Sequence, residues 1–385
     1  MKNVLLIGCD GYIGHALTLR LLEKGYSVFG IDDFQRRNHV NEMGSFSALP
    51  IDSIFTREKN LEDLFGHNYT FLRYDISNYN ALSELNLPVP DVVVNLAQQP
   101  SAPFSLKSQG HATSTTINNL VGTINVLYYM KEFCPDAHLI QIGSMGEYDH
   151  AQGIDIAEGV FDFEFRGKVS KNAIFPRRPG SYYHASKVAA TYYIDAACRW
   201  WGLTATDIMQ GVVYGNWTPE IEKYGFNTRL DSDECFGTVI NRFLVQAVIG
   251  EPLTIFGEGH QKRGYLALND SIQCLMLAIE NPPDKGEYRT WNQLDTVHTV
   301  NELATEVVLN GLIANIDTQN IPSPRAEKTG LFDHYHVDTD KLKYLGFKPT
   351  RNLRDEIHWT LKELLKVKDE LYPLAEVVMP KITWR

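Results

Sequence analysis

The sequence lacks the features that membrane, secreted, metal-binding and nucleic-acid-binding proteins need. Its 385 residues hold no apolar run near the roughly 18 residues of a membrane span, and the first run, residues 2–7, is too short for a signal peptide. The five cysteines are scattered, so neither a disulfide framework nor a metal site is indicated. Positive charge is scarce, because 36 Lys and Arg face 47 Asp and Glu. We therefore expect a cytoplasmic protein with buried, reduced thiols that binds no nucleic acid and no membrane.

Short apolar segments alternate with segments of helical periodicity through the first half of the chain. Uniformly apolar strands are typical of a parallel sheet that is buried on both faces, and their alternation with helices indicates βαβ units. The pattern predicts an α/β fold with a doubly wound, Rossmann-type parallel sheet. The predicted strands are 4–7, 27–31, 70–74, 91–96, 138–142 and 205–213. The predicted helices between them are 13–24, 118–133 and 183–201.

A glycine-rich turn follows the first strand and opens the first helix. Its spacing is GxxGxxG, formed by Gly8, Gly11 and Gly14. A chain that turns tightly, approaches a pyrophosphate and packs a helix on a strand needs residues without a Cβ. Asp32 ends the second strand about 20 residues later, where a carboxylate accepts hydrogen bonds from both ribose hydroxyls. The arrangement predicts an NAD site, although the nearby Arg36 and Arg37 weaken the expected rejection of a 2′-phosphate.

The chain is long enough for two domains. We expect residues 1–215 to form the NAD-binding domain, with residues 265–295 returning to its sheet. Residues 216–264 and 296–385 are expected to form a smaller, mostly helical substrate domain. The polar stretch 38–67 is predicted to be an insertion with a helix near its end.

Tyr183 and Lys187 form a YxxxK motif on a predicted helix, where the spacing places phenol and ammonium on one face. The cation is expected to lower the pKa of the tyrosine, which then serves as a general base on a substrate hydroxyl. The motif is short and recurs at Tyr344–Lys348, where a structural role explains it better. Ser144 follows a strand about 40 residues upstream of Tyr183 and completes a Ser–Tyr–Lys set.

These motifs resemble the extended short-chain dehydrogenase/reductases over almost the whole chain. Three further segments carry the resemblance: Asn95-Leu96-Ala97, Asn119–Thr123 and Val212–Gly215. The resemblance implies tightly held NAD that is recycled in each turnover, with hydride leaving and returning to one sugar carbon. It also implies a homodimer through a four-helix interface of segments 118–133 and 183–201, whose apolar faces core packing would equally explain.

Within that family the chain is similar to the UDP-sulfoquinovose synthases. In the run Ser144–Tyr148, Met145 and a displaced Glu147 replace the Asp-Glu pair that the sugar dehydratases carry. One departure is Pro100, which stands where an arginine is expected and leaves open how part of the pyrophosphate or the sulfite is held. Other shared segments are Ser101-Ala102-Pro103, Gln210–Gly215, Arg229–Asp231, Phe236–Leu266, Pro324-Arg325 and Met379–Trp384.

The resemblance implies UDP-glucose and sulfite as substrates and UDP-6-sulfo-6-deoxyglucose as product. Tyr183, assisted by Ser144, would take the proton from O4 while NAD oxidises C4. Loss of the C5 proton and the C6 hydroxyl would give a 4-keto-5,6-ene, and sulfite would add at C6. Glu147 is the expected acid/base at C5 and C6, with a solvated loop carboxylate as the alternative, while Met145 shapes the pocket or only packs. A charged His184 could attract sulfite, although a packing role explains it better.

The site residues expected on this basis fall into two groups. The cofactor-binding group is Gly8, Gly11, Tyr12, Ile13, Gly14, Asp32, Asp33, Arg36, Asp75, Ile76, Leu96, Asn119, Tyr183, Lys187 and Val213. The substrate-binding group is Gln99, Ser101, Gln210, Thr238, Arg242, Gln261, Arg263 and Arg325. Arg263 and Arg325 are expected to grip the diphosphate, because a guanidinium binds phosphate oxygens in pairs. Asp75 either meets the adenine or caps the next turn, and Arg242 could instead form a surface ion pair.

Two other functions remain open from the sequence. One is a related UDP-sugar 4-epimerase or 4,6-dehydratase, although the missing Asp-Glu pair argues against the dehydratase. The other is a non-catalytic NAD-sensing protein, against which the intact Ser–Tyr–Lys set counts, because a binding protein needs no proton relay.

Overall fold

The computed structural model describes residues 2–85, 87–148, 155–313, 320–323 and 335–380. Its strands are β1 (Asn3–Ile7), β2 (Ser27–Asp32), β3 (Tyr69–Arg73), β4 (Val92–Asn95), β5 (His138–Ile142), β6 (Val160–Phe165), β7 (Lys168–Ile174), β8 (Thr204–Gln210), β9 (Val212–Tyr214), β10 (Leu253–Phe256), β11 (Lys262–Ala267), β12 (Tyr288–Gln293), β13 (Thr296–Thr299) and β14 (Asn320–Ser323).

The helices surround these strands and cover both faces of the largest sheet. They are α1 (Tyr12–Glu23), α2 (Gln35–Glu42), α3 (Ile54–Phe65), α4 (Tyr79–Ser83), α5 (Ala102–Leu106), α6 (Gln109–Thr116), α7 (Gly122–Phe133), α8 (Tyr182–Trp201), α9 (Pro219–Tyr224), α10 (Val239–Ile249), α11 (Leu268–Glu280), α12 (Val300–Ile313), α13 (Asp340–Tyr344), α14 (Leu353–Leu365) and α15 (Lys368–Leu371). Among the residues that the structure describes, no helix combines the length and apolar character needed to cross a membrane.

The large sheet has seven strands in the order β3-β2-β1-β4-β5-β8-β12, and every neighbouring pair is parallel. The inner strands are apolar on both sides, and separate apolar clusters pack on the two faces. Parallel strands buried in this way need helices on both faces, as in a doubly wound fold. The predicted fold class is therefore confirmed. Within the segment 265–295, which is expected to return to this sheet, residues Tyr288–Gln293 form the edge strand β12, beside β8.

A second apolar core lies in the C-terminal half of the chain and is built mainly by helices. Its buried side chains come largely from α10, α12 and α14, with contributions from β10 and α15. Two small sheets border it, one of β13-β11-β9 and one of β10-β14. The helical character expected of this region is therefore present.

Two segments differ from the sequence-based expectation. The insertion after β2 contains two helices, α2 and α3, where only one was predicted. Residues 160–174 form an antiparallel hairpin of β6 and β7 that was not predicted and is largely exposed. Its alternation of phenylalanine and charged residues is typical of a two-stranded ribbon.

Candidate active site

A cavity of about 730 Å³ lies at the carboxyl ends of the parallel strands, between the large sheet and the C-terminal helical part. This edge is where open parallel sheets bind ligands. Most of the residues predicted for the site line it: Gly8, Gly11, Tyr12, Ile13, Gly14, Asp32, Asp33, Arg36, Leu96, Gln99, Ser101, Ser144, Met145, Tyr183, Lys187, Gln210, Val213, Thr238, Arg242, Gln261 and Arg263. Four predicted residues are not among the lining residues: Asp75, Ile76, Asn119 and Glu147. Arg325 lies outside the described residues.

The glycine turn between β1 and α1 forms one wall of the cavity. Gly8 has φ of +90°, which disfavours any residue with a Cβ. A Cβ there would lie 2.7 Å from the backbone nitrogen of Ala97, and one on Gly14 would overlap the carbonyl oxygen of Gly8. Helix α1 begins after Gly11 and presents its unpaired N–H groups at this turn. The turn therefore fits a pyrophosphate that lies against the backbone.

The carboxylates of Asp32 and Asp33 line the cavity beyond this turn. Asp32 Oδ2 accepts a hydrogen bond from Asp10 N at 2.9 Å, and Oδ1 accepts one from Phe34 N at 2.8 Å. Burial, together with the negative charge of Asp10, raises the pKa of Asp32 to about 6. Arg36 also lines the cavity, but its guanidinium pairs with Asp231 at 2.7 Å. Two acidic side chains thus face the place where a cofactor ribose would lie.

Three residues predicted to contact the cofactor are not among the residues that line the cavity, and each has contacts within the protein. The Asp75 carboxylate accepts hydrogen bonds from Ser77 N and Ser77 Oγ, both at 2.8 Å, so the turn-capping alternative describes it. Ile76 packs against Gly122, where a Cβ would lie 2.7 Å from its Cδ1 atom. The Asn119 amide donates to Gln99 O at 3.0 Å and to Ser186 Oγ at 2.9 Å.

Asn119 belongs to a π-helical turn, Ile117–Val121, between α6 and α7. Such a turn rotates the side chains around it, and it places Asn118 rather than Asn119 among the cavity-lining residues. Asn118 Oδ1 accepts a hydrogen bond from Gln99 N at 2.8 Å. An extra residue within a helix has no clear signature in a single sequence, which is why the two asparagines could not be told apart.

Ser144, Tyr183 and Lys187 meet on the wall opposite the glycine turn. Ser144 caps the short turn after β5, and Tyr183 lies in the first turn of α8. Lys187 Nζ lies 5.8 Å from the centre of the Tyr183 ring and donates a hydrogen bond of 2.7 Å to Ile142 O. It also donates to Gln98 Oε1. The three groups that sequence spacing predicted to act together therefore line one cavity.

The expectation that Lys187 lowers the pKa of Tyr183 is wrong. Burial raises the pKa of this phenol above its usual value, the negative charge of Glu147 raises it further, and hydrogen bonding to Ser144 opposes the rise. Burial also lowers the pKa of Lys187, which the carboxylates of Glu147 and Asp207 oppose. The Lys187 ammonium donates hydrogen bonds to Ile142 O and to Gln98 Oε1.

Glu147 lies behind the cavity wall rather than in it, and its residue is 0 % exposed. Its Oε1 atom accepts a hydrogen bond from Ser144 N at 2.8 Å, which closes a capping box on the turn. Its Oε2 atom pairs with Arg177 Nη1 at 2.7 Å. Burial raises the pKa of Glu147, and Arg177 opposes the rise. The carboxylate of Glu147 therefore does not face the cavity where a sugar would lie. It is not a solvated carboxylate on a loop either.

A second buried carboxylate, Asp207 on β8, lies near Glu147. Thr191 Oγ1 donates to Asp207 Oδ2 at 2.6 Å and lies 3.4 Å from Glu147 Oε2. The Tyr288 hydroxyl donates to the same Asp207 oxygen at 3.0 Å. Burial raises the pKa of Asp207 as well. The catalytic wall therefore has two carboxylates behind it.

Several side chains expected to bind substrate are engaged with the protein. The Gln99 amide donates to Thr115 Oγ1 at 2.7 Å, and Gln210 Nε2 donates to Ser271 Oγ at 2.8 Å. Ser101 caps α5 by accepting from Phe104 N at 3.1 Å. Pro100, in the place of the expected arginine, also lines the cavity. Arg242 and Arg263 line the cavity as well.

Several lining residues were not predicted from the sequence, among them Gln98, His39, Glu234, Tyr265 and Tyr335. Only the tertiary fold brings these residues together. His184, considered at the sequence level, also lines the cavity, and its Nδ1 atom lies 3.0 Å from Ser181 Oγ. Burial, together with the charges of Arg263 and Lys187, lowers the pKa of His184 to about 4. A charged His184 that attracts sulfite at neutral pH is therefore wrong.

Comparison with known proteins gives relatives along the full chain. A UDP-sulfoquinovose synthase from Sulfolobus acidocaldarius is 39% identical, with 100% of this chain and 98% of the relative aligned. A chloroplastic UDP-sulfoquinovose synthase from Spinacia oleracea is 38% identical, with 100% of this chain and 79% of the relative aligned. A probable dTDP-glucose 4,6-dehydratase from Sinorhizobium fredii is more distant, at 24% identity.

Solved structures share the fold at low sequence identity. UDP-glucose 4-epimerase from Thermotoga maritima superposes with a TM-score of 0.67 at 20% identity, covering 95% of this chain and 99% of the epimerase. UDP-glucuronic acid 4-epimerase from Bacillus cereus, solved with NAD, also gives a TM-score of 0.67 and covers 95% of this chain and 100% of its own. The family model described as "NAD dependent epimerase/dehydratase family" matches residues 4–292. The chain therefore belongs to the NAD dependent epimerase/dehydratase family, and UDP-sulfoquinovose synthases are among its relatives.

Proposed function

We propose that this chain catalyses the UDP-sulfoquinovose synthase reaction, in which UDP-glucose and sulfite give UDP-6-sulfo-6-deoxyglucose. One observation carries the proposal: two synthases of this activity align along the whole chain, at 39% and 38% identity. The cavity supports it, because Ser144, Tyr183 and Lys187 line it together with the glycine turn. In this proposal residues 1–215 and 265–295 hold the cofactor, and the remaining parts cover the nucleotide sugar.

NAD is the cofactor, and the residues present fit it. The glycine turn leaves room for the pyrophosphate, the start of α1 offers N–H groups, and Asp32 offers a carboxylate to the ribose. When bound, NAD supplies the two-electron oxidant for C4 of the glucose and, after sulfur has been added, the reductant that restores C4.

Tyr183 moves the proton at O4 of the glucose. Its phenol lies in the cavity wall beside Ser144, whose hydroxyl hydrogen-bonds it and favours its deprotonated form. Ser144 is held in place because its backbone N–H is bonded to Glu147 Oε1 at 2.8 Å. A positioned serine and tyrosine of this kind form a short path for the O4 proton. Lys187 adds a cationic group that is anchored to Ile142 O at 2.7 Å.

His184 replaces Glu147 as the group proposed to act at C5. Its imidazole lines the cavity next to Gly146, on which a Cβ would overlap the ring. Because the pKa of His184 is lowered to about 4, the imidazole is at pH 7 in the neutral form that accepts a proton, and it is a weaker base than a free imidazole. Glu147 is a positioning residue in this scheme, because it touches Ser144 and Arg177 but does not line the cavity.

The anionic parts of the substrates are proposed to lie toward Arg242 and Arg263. Both arginines line the side of the cavity formed by the C-terminal part of the chain. The overall charge of −11 gives no general attraction for a diphosphate or sulfite, so local guanidinium groups must supply it. Met145 lines the same cavity and contributes an apolar, uncharged surface to it.

Product analysis of the purified protein tests the proposal. The protein is incubated with UDP-glucose, with and without sulfite, and the nucleotide sugars are identified by mass spectrometry. A sulfonated nucleotide sugar that forms only with sulfite supports the synthase. UDP-galactose or a dehydrated nucleotide sugar in place of the sulfonated one would point to an epimerase or dehydratase. Bound NAD without turnover would instead fit the NAD-sensing alternative.

A homodimer is part of the proposal, and exposed apolar side chains on neighbouring helices support it. They lie on the π-helical turn, α7 and α8, and include Ile117, Val121, Tyr128, Tyr192, Tyr193 and Trp200. We expect light scattering during gel filtration to give twice the mass of one chain. Tyr192→Arg should reduce the mass to that of one chain, whereas Phe55→Arg, on the remote helix α3, should leave it unchanged.

A cytoplasmic location also belongs to the proposal. The five cysteines are all free and buried, as expected for a protein in a reducing compartment. Fractionation of cells that produce the tagged protein tests this location.

A further inference from the structure

Asp10, the second residue after Gly8, pairs with two arginines that lie in the insertion after β2. The carboxylate of Asp10 pairs with Arg37 through Nε and Nη2, both at 2.7 Å. It also pairs with Arg57 Nη1 at 2.6 Å. Asp10 is 5 % exposed and Arg57 is 7 % exposed, so this pair is well shielded from water, whereas the Arg37 side chain is partly exposed. Bidentate and buried charge pairs of this kind are among the strongest polar contacts in proteins.

The cluster lies directly against the carboxylate that faces the cofactor ribose. The backbone N–H of Asp10 donates to Asp32 Oδ2 at 2.9 Å. Burial lowers the pKa of Arg37, but pairing with Asp10 and the nearby negative charge of Asp32 raise it above its usual value. Arg37 nevertheless does not appear among the described residues that line the cavity, whereas Asp32 does. Arg37 is thus near the ribose end of the cavity but held away from it.

Additional contacts fix Arg37 in this position. Its Nη1 and Nη2 atoms donate to Asp52 O at 3.2 and 3.1 Å. The neighbouring Arg36 is committed elsewhere, with its Nε and Nη2 atoms bonded to Asp231 Oδ2 at 2.9 and 2.7 Å. Arg73, on the adjacent strand β3, lies over the Phe34 ring at 5.5 Å. The guanidinium groups of Arg36, Arg37 and Arg73 are therefore each in contact with another side chain of the protein.

We infer that Asp10 is a specificity-determining residue, which holds Arg37 away from the ribose and thereby enforces NAD over NADP. A 2′-phosphate needs a cation near the ribose, and arginine is the residue best suited to bind it. Asp32 repels such a phosphate, and Asp10 withholds the Arg37 guanidinium, which could otherwise compensate for that repulsion. Once Asp10 no longer holds it, Arg37 can turn toward Asp32 or toward the phosphate. Either movement raises the affinity for NADP relative to NAD.

Competition between the two nucleotides tests this inference without measuring turnover. Each protein is incubated with equal, saturating concentrations of NAD and NADP, passed through a desalting column and denatured. The released nucleotides are then separated by chromatography, and their ratio is the ratio of the two affinities. We expect Asp10→Asn to raise the NADP-to-NAD ratio about tenfold, since a new charge-assisted contact is gained.

The double variant Asp10→Asn with Arg37→Gln isolates the role of the arginine. In this variant the ratio should return close to that of the unaltered protein. If the tenfold rise persists, the loss of one negative charge explains it, and the inference is wrong. An unchanged ratio in a folded Asp10→Asn protein would overturn it as well.

The single variant Arg37→Gln keeps the test decisive if the Asp10 variants do not fold. It leaves the Asp10–Arg57 pair in place, and circular dichroism and the melting temperature check that it is folded. Because Arg37 is held away from the cofactor, its removal should change the affinities for NAD and for NADP by less than about twofold. A large loss of NADP binding in this variant would show that Arg37 already contacts the phosphate, contrary to the inference.

Discussion

The two ends of the cavity hold charge in opposite ways. At the ribose end, the carboxylates of Asp32 and Asp33 face the cavity, and Arg37 is withdrawn to Asp10. At the catalytic end, Lys187 and Arg263 face the cavity, and the carboxylate of Glu147 is withdrawn to Arg177. At each end, the charge that does not suit the proposed ligand, that of Arg37 or of Glu147, is neutralised by an ion pair behind the cavity wall.

The difference matches the ligands that each end is proposed to receive. Ribose hydroxyls donate hydrogen bonds and need acceptors, whereas a diphosphate and sulfite are anions and need cations. The buried carboxylate of each ion pair, Asp10 or Glu147, still acts at short range. Asp10 raises the pKa of Asp32, and Glu147 raises the pKa of both Tyr183 and Lys187. At each end of the cavity, a buried carboxylate therefore shifts the pKa of a residue that lines the cavity.

The largest expected effect comes from removing the proton carrier at the catalytic end. Tyr183→Phe should lower kcat about a thousandfold, because the O4 proton then loses its proposed acceptor. Bound NAD should be retained, as measured by release on denaturation. The matched control is Tyr182→Phe, because the neighbouring tyrosine is 57 % exposed and has no assigned role in catalysis. Full activity of Tyr183→Phe would refute its assigned role.

His184→Gln should separate two steps of the reaction at the same end. We expect exchange of the C5 hydrogen with deuterated water to fall about a hundredfold, because the neutral imidazole is the proposed proton acceptor. The absorbance of reduced nicotinamide that UDP-glucose induces should persist. Mass spectrometry measures the exchange, and an unchanged rate would assign the C5 proton to another group.

Glu147→Gln removes the withdrawn charge at the catalytic end. Because Glu147 raises the pKa of Tyr183 and of Lys187, both limbs of the pH profile of kcat/KM should move to lower pH. We also expect kcat to fall about tenfold to a hundredfold, because the Ser144 turn loses its ionic anchor.

The matched control for this variant is Glu158→Gln. Glu158 is another buried carboxylate, but it accepts hydrogen bonds from Asn292 N and Lys341 N, both at 2.9 Å, and does not line the cavity. The pH profile should stay in place in the control. A loss of kcat in Glu147→Gln without any shift of the limbs would contradict the electrostatic role.

Asp32→Asn weakens the exposed charge at the ribose end. We expect the affinity for NAD to fall about tenfold, because an amide is a weaker acceptor for the ribose hydroxyls than a carboxylate. NADP should gain little, since Asp10 still holds Arg37. The nucleotide competition described above measures both, and a strong gain for NADP would show that Asp32 alone sets the preference.

The smallest expected effect concerns stability and lies away from both ends. Burial raises the pKa of Glu158 from 4.5 to about 7. Between these values the folded chain binds a proton that the unfolded chain releases, so this group's contribution to the free energy of unfolding falls as pH rises through that window. Glu158→Gln should make the pH dependence shallower, which urea unfolding at about pH 5 and about pH 7.5 would reveal. An unchanged slope would contradict the raised pKa.

Local spacing was sufficient to predict much of the site. The apolar strands, the glycine turn and the four-residue interval from Tyr183 to Lys187 depend on neighbours in the chain, so their geometry follows from backbone rules. The structure departs from the sequence-based expectation where a shift of one residue or a partner far along the chain decides where a side chain lies. The π-helical turn rotated Asn119 out of the cavity, and the capping box turned Glu147 inward.

The sequence by itself determined the doubly wound sheet, the NAD turn and the Ser–Tyr–Lys set, because periodicity and short spacing dictate which face a side chain occupies. Only the tertiary structure decided which charges reach the cavity. Arg57 meets Asp10 from 47 positions away, and Arg177 meets Glu147 from 30 positions away. A buried charge takes the orientation in which a partner satisfies it, and the fold alone determines where that partner lies.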